Sequence, residues 1–232
     1  IEKQLKSTSI DWDAVVKVST AHYVFPALYC NLKRADFLQY LPHELVSYME
    51  HITDINRERN KQIIAQAKEL NNLLLANNIT PIFLKGTGNL LAGLYEDIAE
   101  RMVGDIDFIF SKEDYLEATK VLTKNGYSFV DKIPYELPYR HYPRIKKTGR
   151  IASIEVHSEL TLEKYTNEFN YCFVEKDSQV INGIRVLSYA NKLNLSIITN
   201  QINDSGFYYK TMALRNAYDV FLLSKKTNAK DA

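Results

Sequence analysis

Apolar positions recur every three or four residues over most of this chain and alternate near its middle, so helices around a strand-rich centre are the first expectation. Residues 10 to 50 read as short helices limited by Pro26 and Pro42. From Pro42 to Asn77 runs the longest helical signal, with Ile63, Ala67, Leu70 and Leu74 on one apolar face. "NNIT" breaks it. "PIFLK" then reads as a short buried strand closed by Gly86 and Gly88, and "NLLAGLY" as a short helix.

Alternation is clearest in "DIDFIF", which begins at Asp105. Ser111 caps the helix that follows, acidic residues fill its first turn, and Asn125 and Gly126 stop it. "YSFVDK", "ELPYRHYPRIKKTG" and "RIASIEVHSEL" suggest further strands, with a turn from Lys147 to Arg150. Residues 161 to 186 are mixed, and helical segments near 187–201 and 206–226 lead into the polar tail "SKKTNAKDA". The expected class is α+β: a helical region over 1–78, a mixed-sheet core over 79–160, and a mostly helical region over 161–232 packing on that core.

Composition narrows the partners more than the fold. The 232 residues, 46% hydrophobic and 25% charged, suffice for a sizeable core. A net charge of +1 leaves any anionic ligand to a local cluster of cations and gives no support for a long nucleic-acid track. Cys30 and Cys172 are too few for a disulfide framework, and both are expected as buried free thiols. No apolar run has the length of a membrane span and the first residues lack a signal-peptide core, so a cytoplasmic location is expected.

The chemistry concentrates in the alternating stretches. In "DIDFIF", Asp105 and Asp107 share one face and Ile106, Phe108 and Phe110 the other. Two carboxylates about 7 Å apart along a strand repel, and burying them unpaired is unfavourable. A divalent cation between them removes the conflict, and oxygen ligands suit Mg2+. In "RIASIEVHSEL", Ser153, Glu155 and His157 share a face above Ala152, Ile154 and Val156. If this strand lies beside residues 105–110, Glu155 becomes a third carboxylate. The plainer account of an Asp-x-Asp pair is a solvated strand end; the apolar underside and the matching Glu155 strand weigh against it.

Upstream, "FLKGTGNLLAGLY" reads as a strand, a glycine-containing turn and a helix start. Gly86 and Gly88 permit close backbone approach to phosphate, and Thr87 either caps the helix or donates to that phosphate. Lys85 is either a phosphate-facing cation or a strand-end lysine. The spacing matches neither a P-loop nor a dinucleotide fingerprint. Arg101 either neutralises phosphate or pairs with an acid, and Gly104 allows close approach beside Asp105. His141 stands between Arg140 and Arg144 in a charged strand that either binds phosphate or is solvated. His157 orients Glu155, contacts phosphate, or is structural. Arg215 either reaches the cleft or pairs with Asp219 one turn along its helix. The histidines are scattered and no cysteine pair exists, so zinc is not expected.

Taken in order, "LKGTG", Arg101, "GDIDFIF", a helix and "IEVHSEL" resemble the uncharacterised nucleotidyltransferase family of the DNA polymerase beta superfamily. That family carries a Leu-Lys-Gly loop, an arginine before a Gly-Asp-hydrophobic-Asp strand, and a later Glu-hydrophobic-His strand. The flanks around Trp12, His22 and Pro26, and "LRNAYDVFLL", extend the resemblance over most of residues 12 to 225. Thr87 departs from the usual Gly or Ser, and the spacer from Gly86 to Asp105 is longer than is usual in the superfamily. The resemblance implies a polymerase beta-like core with Asp105, Asp107 and Glu155 as catalytic ligands of Mg2+ or Mn2+. It also implies a triphosphate held by the Gly86–Thr87 turn. The activity expected is transfer of a nucleoside monophosphate from ATP or another triphosphate to an acceptor hydroxyl, with pyrophosphate leaving. A small-molecule or protein acceptor is favoured over a long nucleic acid. A phosphoesterase or nuclease using the same acids, and a non-catalytic nucleotide-binding module, are the competing expectations.

Overall fold

The computed structural model describes residues 1–6, 10–130, 140–162 and 165–228. Helices α1 (Glu2–Leu5), α2 (Trp12–Ala21) and α3 (Phe25–Arg34) precede α4 (His43–Leu75), a single helix of 33 residues. Asp11 caps α2 by accepting from the Ala14 amide. Pro26 sits in the first turn of α3, where its missing N–H breaks no helical bond, and Pro42 immediately precedes α4. Then follow β1 (Ile82–Phe83), α5 (Lys85–Leu91), β2 (Asp105–Ile109), α6 (Lys112–Lys124), β3 (Ser128–Phe129), β4 (Ile145–Lys146) and β5 (Ser153–His157). The chain continues through α7 (Tyr171–Glu175), β6 (Gln179–Ile181), β7 (Ile184–Val186), α8 (Tyr189–Ile198), α9 (Gly206–Tyr209) and α10 (Leu214–Ser224).

The strands form one seven-stranded mixed sheet in the order β3-β4-β5-β2-β1-β7-β6. With helical segments before and after it, this is the expected α+β architecture. At its centre β2 and β5 run parallel, with Asp105 opposite Ser153, Asp107 opposite Glu155 and Ile109 opposite His157. One face of the sheet carries Ile106, Phe108, Ile154 and Val156 and packs on Ile63, Ala67, Leu70 and Leu74 of α4. Phe108 meets Phe83 and Phe110 edge-on, at ring separations of 5.5 and 5.2 Å. The other face gathers Ile82, Leu84, Ile109, Leu160 and Leu195 into a second cluster. A third cluster, around Phe25, Tyr29 and Met49, belongs to the N-terminal helices.

Helix α4 does more than cover the sheet. Asn56 donates to the carbonyls of Ala99 and Arg101, and Asn60 donates to those of Ile98 and Arg101. Arg57 holds Asp97 through two hydrogen bonds of 3.1 and 2.7 Å. These contacts fix the irregular segment that delivers the chain into β2, and hence the position of Asp105 and Asp107.

Two local expectations change, and a third lies outside the described residues. The glycines of "LKGTG" lie inside α5 rather than in a turn before it, because the helix already begins at Lys85. Cys172 is exposed on the short α7, whereas Cys30 is buried; both are free. The segment expected to start a strand at "ELPY", residues 136–139, falls outside the described residues together with the end of "YSFVDK". Among the described residues no helix is long and apolar enough to cross a membrane.

Candidate active site

The parallel register of β2 and β5 puts two buried carboxylates side by side at the middle of the sheet, Asp107 and Glu155. His157, one strand repeat further on, turns its Nε2 to within 3.0 Å of Asp107 Oδ1 and 3.6 Å of Glu155 Oε2. One ligand atom from each of these three residues lies within 4.8 Å of the others, the spacing of a metal-binding cluster. His157 Nδ1 is buried without a hydrogen-bond partner among the described residues, so the contact of Nε2 with the Asp107 carboxylate is what orients the ring.

Asp105 stands apart from that donor set. Its carboxylate accepts from Ser153 Oγ at 2.9 Å and from Arg144 Nη2 at 3.3 Å. Arg144 also donates to Glu155 Oε1 at 2.8 Å. Burial raises the Asp105 pKa, and Ser153 and Arg144 only partly offset it. For Asp107 burial also opposes ionisation, but the Lys85 charge and the His157 hydrogen bond outweigh it and its pKa falls. Glu155 shows the same balance: burial opposes its charge, yet His157, Lys85 and Arg144 hold it well below the usual carboxylate range. The cations around them thus favour the charged forms of Asp107 and Glu155.

The first cation is Lys85. Its Nζ lies 2.6 Å from Asp107 Oδ1, 3.5 Å from Glu155 Oε2 and 3.4 Å from His157 Nε2. The sequence pattern left Lys85 between phosphate-facing and strand-end roles; the structure turns its ammonium onto the carboxylates.

A cleft of about 360 Å3 opens beside this cluster. Lys85, Gly86, Arg101, Gly104, Asp105, Asp107, His141, Glu155 and Arg215 all line it. Thr87 and Gly88 do not: the Thr87 hydroxyl donates to the Asp105 carbonyl at 2.8 Å, and a Cβ at Gly88 would come within 2.7 Å of the Phe83 carbonyl oxygen. Those two residues lock α5 against the sheet, and only the Lys85–Gly86 end of the motif meets the cleft. His141 packs its ring 5.2 Å from that of His157 and forms an antiparallel bridge with it.

Arg101 is buried and paired with Asp219 of α10, from Nε at 3.1 and 3.0 Å and from Nη2 at 3.0 Å. Tyr95 donates to the same carboxylate at 2.7 Å. Of its two sequence readings, pairing with an acid is what the geometry contains. Asp219 is thereby taken from Arg215, whose guanidinium sits 5.1 Å over the Tyr23 ring and whose buried Nε has no partner among the described residues. Burial, then the neighbouring Arg101 charge, lowers the Arg215 pKa. Lys192, which also lines the cleft, is buried on α8, donating to the Leu187 carbonyl at 2.8 Å, and burial pulls its pKa down to about 7. The cleft therefore has an acidic floor on β2 and β5 and a basic wall on α8 and α10. Lys192 went unnoticed in the sequence; the available signal was a lone lysine on the inward face of an apolar helix.

The chain belongs to the uncharacterised nucleotidyltransferase family, whose profile matches residues 8–232. A search of the curated proteins finds no match. Two solved structures align with it. One is ANT(2″)-Ia, determined in complex with adenylyl-2″-tobramycin, at 11% identity and a TM-score of 0.49 over 72% of this chain and 91% of that one. The other is a candidate nucleotidyltransferase from Thermotoga maritima, at 15% identity and a TM-score of 0.48 over 65% and 92% of the two chains.

Proposed function

We propose that this protein transfers the nucleoside monophosphate of a triphosphate to an acceptor hydroxyl, in the manner of polymerase beta-like nucleotidyltransferases. The observation that carries this reading is the parallel pairing of Asp107 with Glu155, which line a cleft with a basic wall and form a three-donor cluster with the buried His157. Two buried carboxylates and an imidazole fit a divalent cation, and the mixed oxygen and nitrogen donors suit Mn2+ as well as Mg2+. Such an ion supplies Lewis acidity at the α-phosphoryl group.

The chain's own residues do the rest. Asp107, Glu155 and His157 would hold the cation. Arg215, with its unpartnered Nε, receives phosphate oxygens on the opposite wall. Asp105 lies outside the donor set yet lines the same cleft, and takes the proton of the attacking hydroxyl. The new bond joins the acceptor oxygen to the α-phosphorus, the bond from that phosphorus to the bridging oxygen breaks, and pyrophosphate carries away the electron pair. Position and charge neutralisation supply the acceleration, with no covalent enzyme intermediate. ATP is one candidate donor, and the near-neutral net charge of +1 favours a small or protein acceptor.

The test is incubation with Mg2+ or Mn2+, each labelled nucleoside triphosphate and a mixture of hydroxyl acceptors. Pyrophosphate and a nucleotidylated product are expected from the native protein. The combined Asp107→Asn and Glu155→Gln substitutions should lower the rate by about 100-fold or more. Asp105→Asn should lower it comparably while Mn2+ binding persists. Undiminished pyrophosphate release from the double variant would overturn the assignment.

A further inference from the structure

We propose that Lys85 is a built-in counter-ion which the divalent cation must displace, so that metal and nucleotide bind together rather than independently. This rests on the nucleotidyltransferase reading above and deepens it by assigning a coupling between its two ligands. The three residues that would hold the metal, Asp107, Glu155 and His157, are the same three that surround Lys85 Nζ, at 2.6, 3.5 and 3.4 Å. An ammonium and a divalent ion sharing that space would lie only a few ångströms apart, where two positive charges in a partly buried site repel strongly. The cluster holds one or the other.

The backbone shows that this placement is specific. Lys85 adopts φ of +47°, a left-handed conformation unusual for a residue with a side chain, directly after extended Leu84. Such strain is retained where the surroundings over-determine it, and here the ion pair with Asp107 is part of those surroundings. The side chain is also free to leave: it is 25% exposed and lines the cleft. Its stem is four carbons long and flexible.

Once displaced, the ammonium needs another anion. Of the other acids lining the cleft, Asp105 is already engaged by Ser153 and Arg144, Asp219 by Arg101 and Tyr95, and Asp204 is exposed to solvent, where an ion pair contributes little. A polyphosphate in the cleft supplies the missing partner. Metal alone therefore binds against the loss of the Lys85 ion pair, and nucleotide alone finds Lys85 withdrawn. Together each removes the other's obstacle. By linkage, nucleotide must raise metal affinity by the same factor as metal raises nucleotide affinity.

The experiment is a Mn2+ titration followed by the electron paramagnetic resonance signal of the free ion. It uses native protein, Lys85→Met and Lys85→Gln, each with and without an α,β-methylene triphosphate analogue. Binding of Mn2+ to the analogue alone is measured separately and subtracted. Without analogue, the Lys85→Met and Lys85→Gln forms should bind Mn2+ about tenfold more tightly than native protein. The analogue should tighten Mn2+ binding by about tenfold in native protein and by much less in the variants. Equal or weaker Mn2+ binding by the variants overturns the proposal and leaves the metal site standing. Failure of every form to bind Mn2+, with or without analogue, overturns the metal site itself. Should both variants fail to fold, the native protein still decides: Mn2+ affinity indifferent to the analogue overturns the coupling.

Discussion

Arg101 and Asp219, 118 positions apart, illustrate how a single residue's role depends on what the fold brings to it. A guanidinium and a carboxylate taken together from water gain little over well-packed apolar residues, but either one left alone in a buried site is strongly unfavourable. Arg101→Met or Asp219→Leu alone should therefore lower stability by about 3–5 kcal/mol, read from urea midpoints, and the double substitution should recover much of that loss. Asp219→Leu is expected to be the worse single change, because it also leaves Arg101 beside the Arg215 charge and Tyr95 without its acceptor. Lys192 makes a prediction of the opposite kind. Burial lowers its pKa from the ordinary lysine value of 10.5 to about 7, so between those limits the unfolded chain binds a proton that the folded one does not. Its contribution to stability accordingly rises as pH rises from about 7 towards 10.5 and stays at its least favourable below that window. Lys192→Met should flatten this slope and stabilise the protein at neutral pH by on the order of 3 kcal/mol, measured as urea unfolding across the range. An unchanged pH slope would show that Lys192 carries its charge in the fold.

At the scale of elements, α5 is where sequence pattern and structure part most clearly. Two glycines within three residues suggest a turn, yet Gly88 serves packing, since a Cβ there would meet the Phe83 carbonyl oxygen at 2.7 Å. Gly88→Ala should accordingly cost about 1–3 kcal/mol through displacement of α5 from β1, seen as a lower thermal midpoint. The nucleotide affinity of the folded fraction should be unchanged; a selective loss of affinity at full stability would restore the phosphate-binding role. Long periodic elements were legible for a physical reason: α4 repeats its apolar face over many turns, and Ile63, Ala67, Leu70 and Leu74 are all buried. The same holds for β2 and β5, whose alternation set Ile106 and Phe108 beneath Asp107, and Ile154 and Val156 beneath Glu155. Pairing of these strands could be stated only as a condition, because alternation names faces and not neighbours. For that reason the pattern grouped Asp105 with Asp107 and Glu155, whereas the folded sheet draws His157 into the cluster and gives Asp105 to Ser153 and Arg144. Lys192 was illegible because its significance lies in what α8 packs against.

At the scale of the whole molecule, the main core joins residues that the sequence pattern assigned to three regions. One cluster contains Ile63 and Leu74 of α4, Ile106 and Ile154 of the sheet, and Leu193 and Leu223 of the C-terminal helices. Polar contacts follow the same plan, with Asn56 and Asn60 of α4 holding the carbonyls before β2 while Asp219 of α10 holds Arg101. The acidic floor of the cleft thus depends on both helical flanks, and a piece spanning residues 79–160 would lose the α4 face of its core, the donors that fix its entry into β2, and the carboxylate that neutralises its buried arginine. Such a fragment should not fold, and the full chain should unfold in one cooperative step in which circular dichroism and tyrosine fluorescence give coincident urea transitions. A dispersed amide spectrum from the 79–160 fragment, or two separated transitions in the full chain, would show that the sheet stands without its flanks. The cleft's basic wall would then belong to a separate unit able to move against the acidic floor, and the pairing of metal and phosphate sites would depend on that motion instead of on a single packed core.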